Sequence, residues 1–599
     1  MSLSRRAALR SALALTLPGA GFLAPVRAQP APSAPTPSQQ AKAVFDEYWE
    51  RTAAMYPEWA TYRGDDRFGD RLDDGSAQAR TRWFAFARET KARLQALPLQ
   101  QLDARDRMSA AILLRRMDRT LAFEPHPGFD SMSVNAAPWP FQAAFQNLMR
   151  AVPMRTEAHA RQALSRMAAY PLRVDQELAR LRAGMAEGWV PPRFVLQVAI
   201  RQIDAQLAQR GRTHLAFEPF GRLGRDIPEP VRERLRDKAA AAVDDQVLPA
   251  LQRLRDFVAG DYLARAPAEG GLWSYPGGAQ VYALLVRNET TTDLTPDAIH
   301  AIGLAEMDKA RQGMEAVRRE AGFDGDMPAF VRLLNTDPRF FKRSGAEVLA
   351  GYRAIIDRVQ PQLPRLFSQL PRAPLGVRAI PDFMGIGAVE SYDGPALEGP
   401  RQGWINANTL AHAVRPTWGM EAIALHEGVP GHHLQIARAS ELDGLPAFRR
   451  AQGFTAFVEG WGLYAETLGT ELGVYQDPYS RFGLFTNQAW RAARLVVDTG
   501  IHAKGWTRQQ AVDYMSATTG MERNRVEFEV DRYVSAPGQA LAYMIGQLRI
   551  LELRDRSRRA LGERFDIRGF HEAVLGNGAL PLDLLERVVD EWIAAERAR

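Results

Sequence analysis

The 599-residue chain contains no cysteine. That excludes disulfides, thiolate metal sites and a cysteine nucleophile, and it is compatible with an oxidising compartment. No G-x-S-x-G elbow occurs, which disfavours a serine hydrolase of that type. The chain also lacks a run of about 18 uninterrupted apolar residues, so no transmembrane segment is expected in the mature protein. Excess charge is scarce as well. The formal net charge is +6, and residues 1–28 carry Arg5, Arg6, Arg10 and Arg27 with no acid, so removing them leaves +2. A nearly neutral chain argues against nucleic acid as a partner, despite a computed pI of about 9.5.

Histidine is rare too, with ten in the chain, yet three of them fall within residues 426–433. The run is His426-Glu427-Gly428-Val429-Pro430-Gly431-His432-His433. A helical H-E-x-x-H sets two imidazoles one turn apart on one face, with a carboxylate beside them to act as general base. Here Pro430 holds the fifth position and cannot bind metal. In a continuous helix His426 and His433 would be roughly 10 Å apart along the axis, and His432 about 120° off that face. Pro430-Gly431 therefore has to interrupt the helix, since proline removes an amide donor and glycine opens backbone conformations closed to other residues. The expectation is a local bulge that carries His432 into the place Pro430 would have held. That makes His426 and His432 metal ligands and leaves His433 as a catalytic candidate, supporting a ligand or facing substrate. Spacing alone leaves the choice between His432 and His433 open. Deleting Pro430 and Gly431 would join Val429 to His432 in an unbroken H-E-x-x-H and is expected to keep measurable zinc affinity, with activity reduced because everything downstream is rotated by about 200°.

The third ligand is expected from a later helix. Glu459 lies in Phe457-Val458-Glu459-Gly460-Trp461-Gly462-Leu463-Tyr464-Ala465-Glu466, with apolar residues at helical spacing around the acid. Two histidines and a glutamate leave one position of a single Zn2+ ion open, the pattern of a catalytic site. Glu466, two turns on, is placed to hydrogen-bond a ligand imidazole.

The run from His426 to Gln435, the Glu459-Gly460-Trp461 segment, and Tyr533-Val534-Ser535-Ala536-Pro537-Gly538-Gln539-Ala540 with Tyr543 resemble the bacterial family named domain of unknown function 885. That family is grouped with the glutamate-ligand (gluzincin) zinc metallopeptidases. The segment around Glu459 is also similar to the Asn-Glu-Gly-Phe-Ala stretch of gluzincin aminopeptidases, but Val458 stands where those have asparagine. No aminopeptidase specificity follows. The resemblance implies a zincin-like metallopeptidase architecture and raises Tyr543 as a catalytic phenol able to donate to a developing oxyanion. Arg532 is a candidate for a substrate carboxylate, with Asp531 and Glu529 as rival partners.

The reading for the whole chain is mainly α, with a small β element next to the metal site. Residues 1–28 read as a cleavable export signal of the twin-arginine kind, giving a periplasmic or secreted protein. Residues 29–40 read as a flexible linker, 41–370 as a helical N-terminal region and 371–599 as the catalytic region. Val231, Leu235, Val243, Val247, Leu248, Leu251, Leu254 and Val258 form one apolar stripe. Thr295-Pro296-Asp297 opens a helix through Met307. Pro125–Phe145 reads as a proline-aromatic loop, and Gly403–Asn408 as a short edge strand for substrate addition or a plain connector. The expected function is a zinc-dependent hydrolase that cleaves amide bonds, with Glu427 as base and a peptide or small amide as substrate. The rivals are an amidase or esterase on non-peptide substrates and a non-catalytic metal-binding scaffold.

Overall fold

The computed structural model describes residues 35–137, 140–380, 386, 388–395, 402–451 and 453–599. The expected leader at 1–28 lies outside the described residues, as do residues 29–34 of the expected linker, Pro138 and Trp139. The chain is mainly helical with one small sheet. Its first described helix, Pro37–Met55, begins inside the span expected as linker. Thr36 caps it by accepting from the Gln39 amide, and Gln39 reciprocates, so this reciprocal cap and the proline in the first turn start a helix there.

Local signals place other elements as the sequence suggests. Thr295 accepts from the Ala298 amide and starts the helix Pro296–Glu320, four turns longer than the apolar pattern through Met307 required. Leu235, Val243, Val247, Leu248, Leu251, Leu254 and Val258 are all buried along one helical stretch. Part of the Pro125–Phe145 segment is a short helix, Pro127–Asp130, and the chain is helical again from Phe141.

Two hydrophobic clusters form. One is built from residues 134–266, and the other runs from Ala41 to Ile593. The second joins side chains from both sides of residue 370, so that position marks a change of local structure and not a break in packing.

The sheet has the order β1-β3-β2, with β1 (Leu375–Ala379) parallel to β3 (Gly403–Ala407) and β2 (Ser391–Asp393) antiparallel to it. Gly403–Ala407 is thus the central strand, which corrects the expectation of an edge strand. Its two hydrogen-bonding sides are taken by Leu375–Ala379 and Ser391–Asp393, so strand addition there is blocked.

Two buried histidines pin distant segments. His571 bonds the Leu366 carbonyl at 2.8 Å and the Tyr464 hydroxyl at 2.8 Å. His502 accepts from the Leu272 amide at 3.2 Å and donates to the Tyr533 carbonyl at 3.0 Å. Burial pushes His502 down to about 4 and His571 to about 3, so both are neutral in the folded protein. The unfolded chain takes up those two protons near pH 6.5 while the folded one does not. Stability is therefore expected to be complete above pH 6.5 and to fall as pH drops towards 4, by about 1.4 kcal/mol per pH unit for each proton. A thermal midpoint that holds constant from pH 7 to pH 5 would contradict this.

Candidate metal centre

The first helix of the motif, Met420–Glu427, stops at Gly428, and a second helix, His432–Ser440, starts after Gly431. This corrects the expected bulge, because the chain ends one helix and begins another. The Gly428 amide still bonds the Ala424 carbonyl at 2.9 Å, and the His433 amide reaches back to the Gly428 carbonyl at 3.0 Å. Between them the Val429–Pro430 peptide is cis. A Cβ on Gly431 would stand 2.0 Å from the His426 carbonyl oxygen and 2.2 Å from that of Leu425, so only glycine lets the turn fold back over the helix end.

The turn brings the His426 and His432 rings to 4.6 Å, nearly perpendicular. Glu459, on the helix Thr455–Glu471, places Oε2 3.4 Å from His426 Nε2 and 3.3 Å from His432 Nε2. One donor atom from each of the three residues lies within 4.8 Å of the others. Donors bound at about 2.1 Å at tetrahedral angles stand about 3.4 Å apart. Charge-assisted hydrogen bonds prefer about 2.7–2.9 Å. The observed 3.3 and 3.4 Å thus fit a shared cation better than a pair of direct ion pairs.

The segment Glu459-Gly460-Trp461-Gly462 has a task at every position. A Cβ on Gly460 would lie 2.5 Å from the Gly546 backbone, so these glycines let their helices pack closely. Trp461, fully buried, donates Nε1 to the Pro430 carbonyl at 2.9 Å and ties the turn to the Glu459 helix. Gly462 leaves room for the His426 ring, whose atoms would be 2.8 Å from a Cβ there. Sequence reasoning missed these three roles. The available signal was two glycines inside an apolar helix, which ordinarily mark close packing.

Glu466 is where the sequence placed it, with Oε1 2.9 Å from His426 Nδ1. Asn487 donates to its Oε2 at 3.2 Å, and Arg491 stands 3.7 Å from Oε1. This fixes the tautomer that leaves Nε2 facing Glu459. Burial disfavours charge on His426, but hydrogen bonding to Glu459 and Glu466 outweighs it and raises its pKa above the usual value. Burial likewise works to raise Glu459, yet the two imidazoles hold it well below the carboxylate range. Glu459 is thus held ionised between the two imidazoles.

The Glu427 carboxyl makes no hydrogen bond or ion pair among the described residues. Burial pushes its carboxyl up to about 8, with Glu459 and Glu390 adding to the effect and His432 and Arg491 opposing it. A divalent cation beside it would pull that value down.

His433 is placed differently from the expectation. Its Nε2 donates to the Ala373 carbonyl at 3.0 Å and its Nδ1 accepts from the Tyr392 hydroxyl at 2.9 Å. Burial lowers it to about 4, so it is a neutral pin between the second helix and the sheet. Both nitrogens are occupied, which corrects the catalytic assignment of His433.

Tyr543 lies face to face with His426, with ring centroids 6.4 Å apart. Arg532 and Gln539 each approach its hydroxyl oxygen at 3.5 Å as donors, and among the described residues no acceptor takes the phenol's own proton. Arg532 donates to Gln539 at 2.7 Å and lies 3.5 Å from Glu529, whereas Asp531 pairs with Arg508. Tyr533 is taken up by Trp490, Arg494 and Glu529 and does not reach the centre. A cavity of about 1150 Å³ elsewhere is lined by Tyr56, Arg80, Trp83, Arg119 and Glu289, and by none of the site residues.

The chain belongs to the family described as bacterial protein of unknown function (DUF885), whose model matches residues 57–589. It is similar to a protein of Colwellia psychrerythraea crystallised as a candidate lipoprotein, at 28% identity and a TM-score of 0.88, covering 94% of this chain and 100% of that one. A candidate lipoprotein of unknown function from Shewanella oneidensis shares the fold, with 19% identity, a TM-score of 0.68 and coverage of 93% and 100%. Pz peptidase A with an inhibitor superposes at a TM-score of 0.35 and 11% identity over 87% and 97% of the two chains, agreement too low to carry an inference. A 233-residue stretch is 27% identical to erythronolide synthase EryA2 of Saccharopolyspora erythraea, covering 36% of this chain and 6% of that protein. Among the described residues no helix is long and apolar enough to cross a membrane.

Proposed function

We propose that this family member is an exported, zinc-dependent hydrolase of amide bonds with a zincin-like centre, and that its substrates are peptides. The reading rests on the convergence of His426, His432 and Glu459 at tetrahedral-edge spacings beside an unbonded carboxylate, Glu427. His426 and His432 would hold the ion through Nε2 and Glu459 through Oε2. Zinc at such a centre supplies Lewis acidity and lowers the pKa of water.

The chain's own groups account for the remaining chemistry. Glu427 takes the proton of the attacking water on a carboxylate oxygen and passes it to the leaving amine. Tyr543 donates its free phenolic proton towards the carbonyl oxygen as negative charge develops there. Glu466, held by Asn487, keeps the His426 imidazole aimed at the centre. Export is supported by the basic, apolar leader and by the lipoprotein description of two structural relatives. No residue of this sequence can carry a thioether-linked lipid, since cysteine is absent.

Purified protein is expected to contain one zinc per chain and to digest a mixed peptide library. Chelation should abolish the digestion and zinc should restore it. A protein loaded one-to-one with zinc that cleaves no peptide would overturn the reading and favour a scaffold.

A further inference from the structure

Beside the metal centre lies a cluster of guanidinium groups richer in charge than its local partners require. Arg415 pairs with Glu390 at 2.6 Å, Arg494 with Glu529 at 3.0 Å, and Arg532 with Glu529 at 3.5 Å. Among the described residues Arg491 reaches only Glu466, at 3.7 Å, and it is 6% exposed, with Nε and Nη1 buried and without a partner there. Arg525 makes no hydrogen bond or ion pair among the described residues, and its buried Nε has no partner either. It rests on the Trp490 ring at 4.5 Å, where Arg491 and Arg494 also stack, at 4.2 and 4.4 Å.

Among the described residues five arginines thus face three carboxylates, Glu390, Glu466 and Glu529. Glu427 and Glu459 would not restore the balance, because a divalent ion held at the centre would match their two charges. Two positive charges remain over, on buried Arg491 and half-buried Arg525, and an unpaired charge away from water is costly. Burial pushes Arg525 down to about 10, in keeping with that cost. The position is close to the chemistry. Arg491 stands 3.7 Å from Glu466, whose Oε1 bonds His426, and Arg525 shares the Trp490 ring with Arg491.

Building on the peptidase reading, we infer that Arg525, with Arg491 behind it, binds a carboxylate of the peptide substrate close to the scissile bond. A planar guanidinium with free N–H groups suits bidentate capture of a carboxylate, and the stacked Trp490 holds it in plane. The carboxylate is either the free C-terminus or an acidic side chain next to the cleaved bond. Arg532, the residue the sequence suggested for this task, is already engaged by Gln539 and Glu529.

The test compares four short peptides of one sequence. They carry a free or amidated C-terminus, each with Glu or Gln beside the scissile bond. Zinc-loaded wild type is expected to prefer one carboxylate form by about 10- to 100-fold in kcat/KM, expressed mainly in KM. Preference for the free C-terminus identifies the terminal carboxylate, and preference for Glu with an amidated end identifies the side chain. Arg525→Met should collapse the ratio towards one, and Arg525→Lys should restore part of it. Calorimetric binding of the same peptides to zinc-loaded Glu427→Gln protein reads the preference without hydrolysis. If wild type cleaves nothing, the peptidase reading fails while this arm still decides the inference. Equal binding of all four peptides, or a ratio unchanged in a folded Arg525→Met protein, would overturn it.

Discussion

Zinc-loaded protein carrying Glu427→Gln is expected to keep its metal and to lose at least ~10² in turnover. The amide has the size of the carboxyl it replaces, but it cannot take a proton from water and return it to an amine. Glu427 suits this role because no neighbour among the described residues claims its oxygens. It ends the helix Met420–Glu427 next to His426, and the His432 and Glu459 charges both act on it. The companion change, Glu459→Gln, is different in kind. It removes the carboxylate lying 3.3 and 3.4 Å from the two imidazoles and should release the metal. Metal content and turnover measured on both variants separate a base from a ligand. Near-normal turnover in a zinc-replete Glu427→Gln protein excludes the mechanism, and loss of zinc from it makes Glu427 a ligand.

Much of this centre was legible in the sequence because metal chemistry restricts residue type so strongly. His426, Glu427, Glu459 and Glu466 could be picked out from spacing on helices, since a helix fixes which side chains share a face. The selection of His432 over His433 was not fixed by spacing. It depends on where two helices are redirected by residues 428–431, and on the Ala373 carbonyl and Tyr392 hydroxyl that occupy His433. Both partners lie more than 40 residues upstream, where no local pattern links them to the histidine. The sheet was misjudged for a related reason. A five-residue strand such as Gly403–Ala407 carries no mark of whether it is central or at an edge, because that is decided by Leu375–Ala379 and Ser391–Asp393 pairing with it. The Arg525 surplus was equally hidden, since an arginine's partners are a tertiary property. In contrast, the cap at Thr295 operates within three residues and was read locally, whereas the equally local cap at Thr36 was overlooked inside the proline-rich span expected as linker.

The second large effect is expected at Gly431. Gly431→Ala should weaken zinc binding by at least ~10² or prevent the turn from forming, because the added methyl meets two backbone oxygens at 2.0 and 2.2 Å that cannot rotate away. Relief requires the His432 helix to move off the end of the His426 helix, and that separates the two imidazoles. Trp461→Phe gives a graded comparison. It keeps most of the ring but loses the hydrogen bond to the Pro430 carbonyl, a change worth about 1 kcal/mol and thus a several-fold loss of affinity. The structure also adds a cost to deleting Pro430 and Gly431. The shortened chain would read as an unbroken H-E-x-x-H, yet it would pull His433 from Ala373 and Tyr392 and leave Trp461 Nε1 buried without its acceptor. Zinc affinity should therefore fall with the deletion as well. Titrating zinc into metal-free wild type and the three variants, with helix content and melting followed by circular dichroism, ranks them. A folded Gly431→Ala protein that binds zinc as tightly as wild type would show that the close approach at Gly431 does not align the histidines.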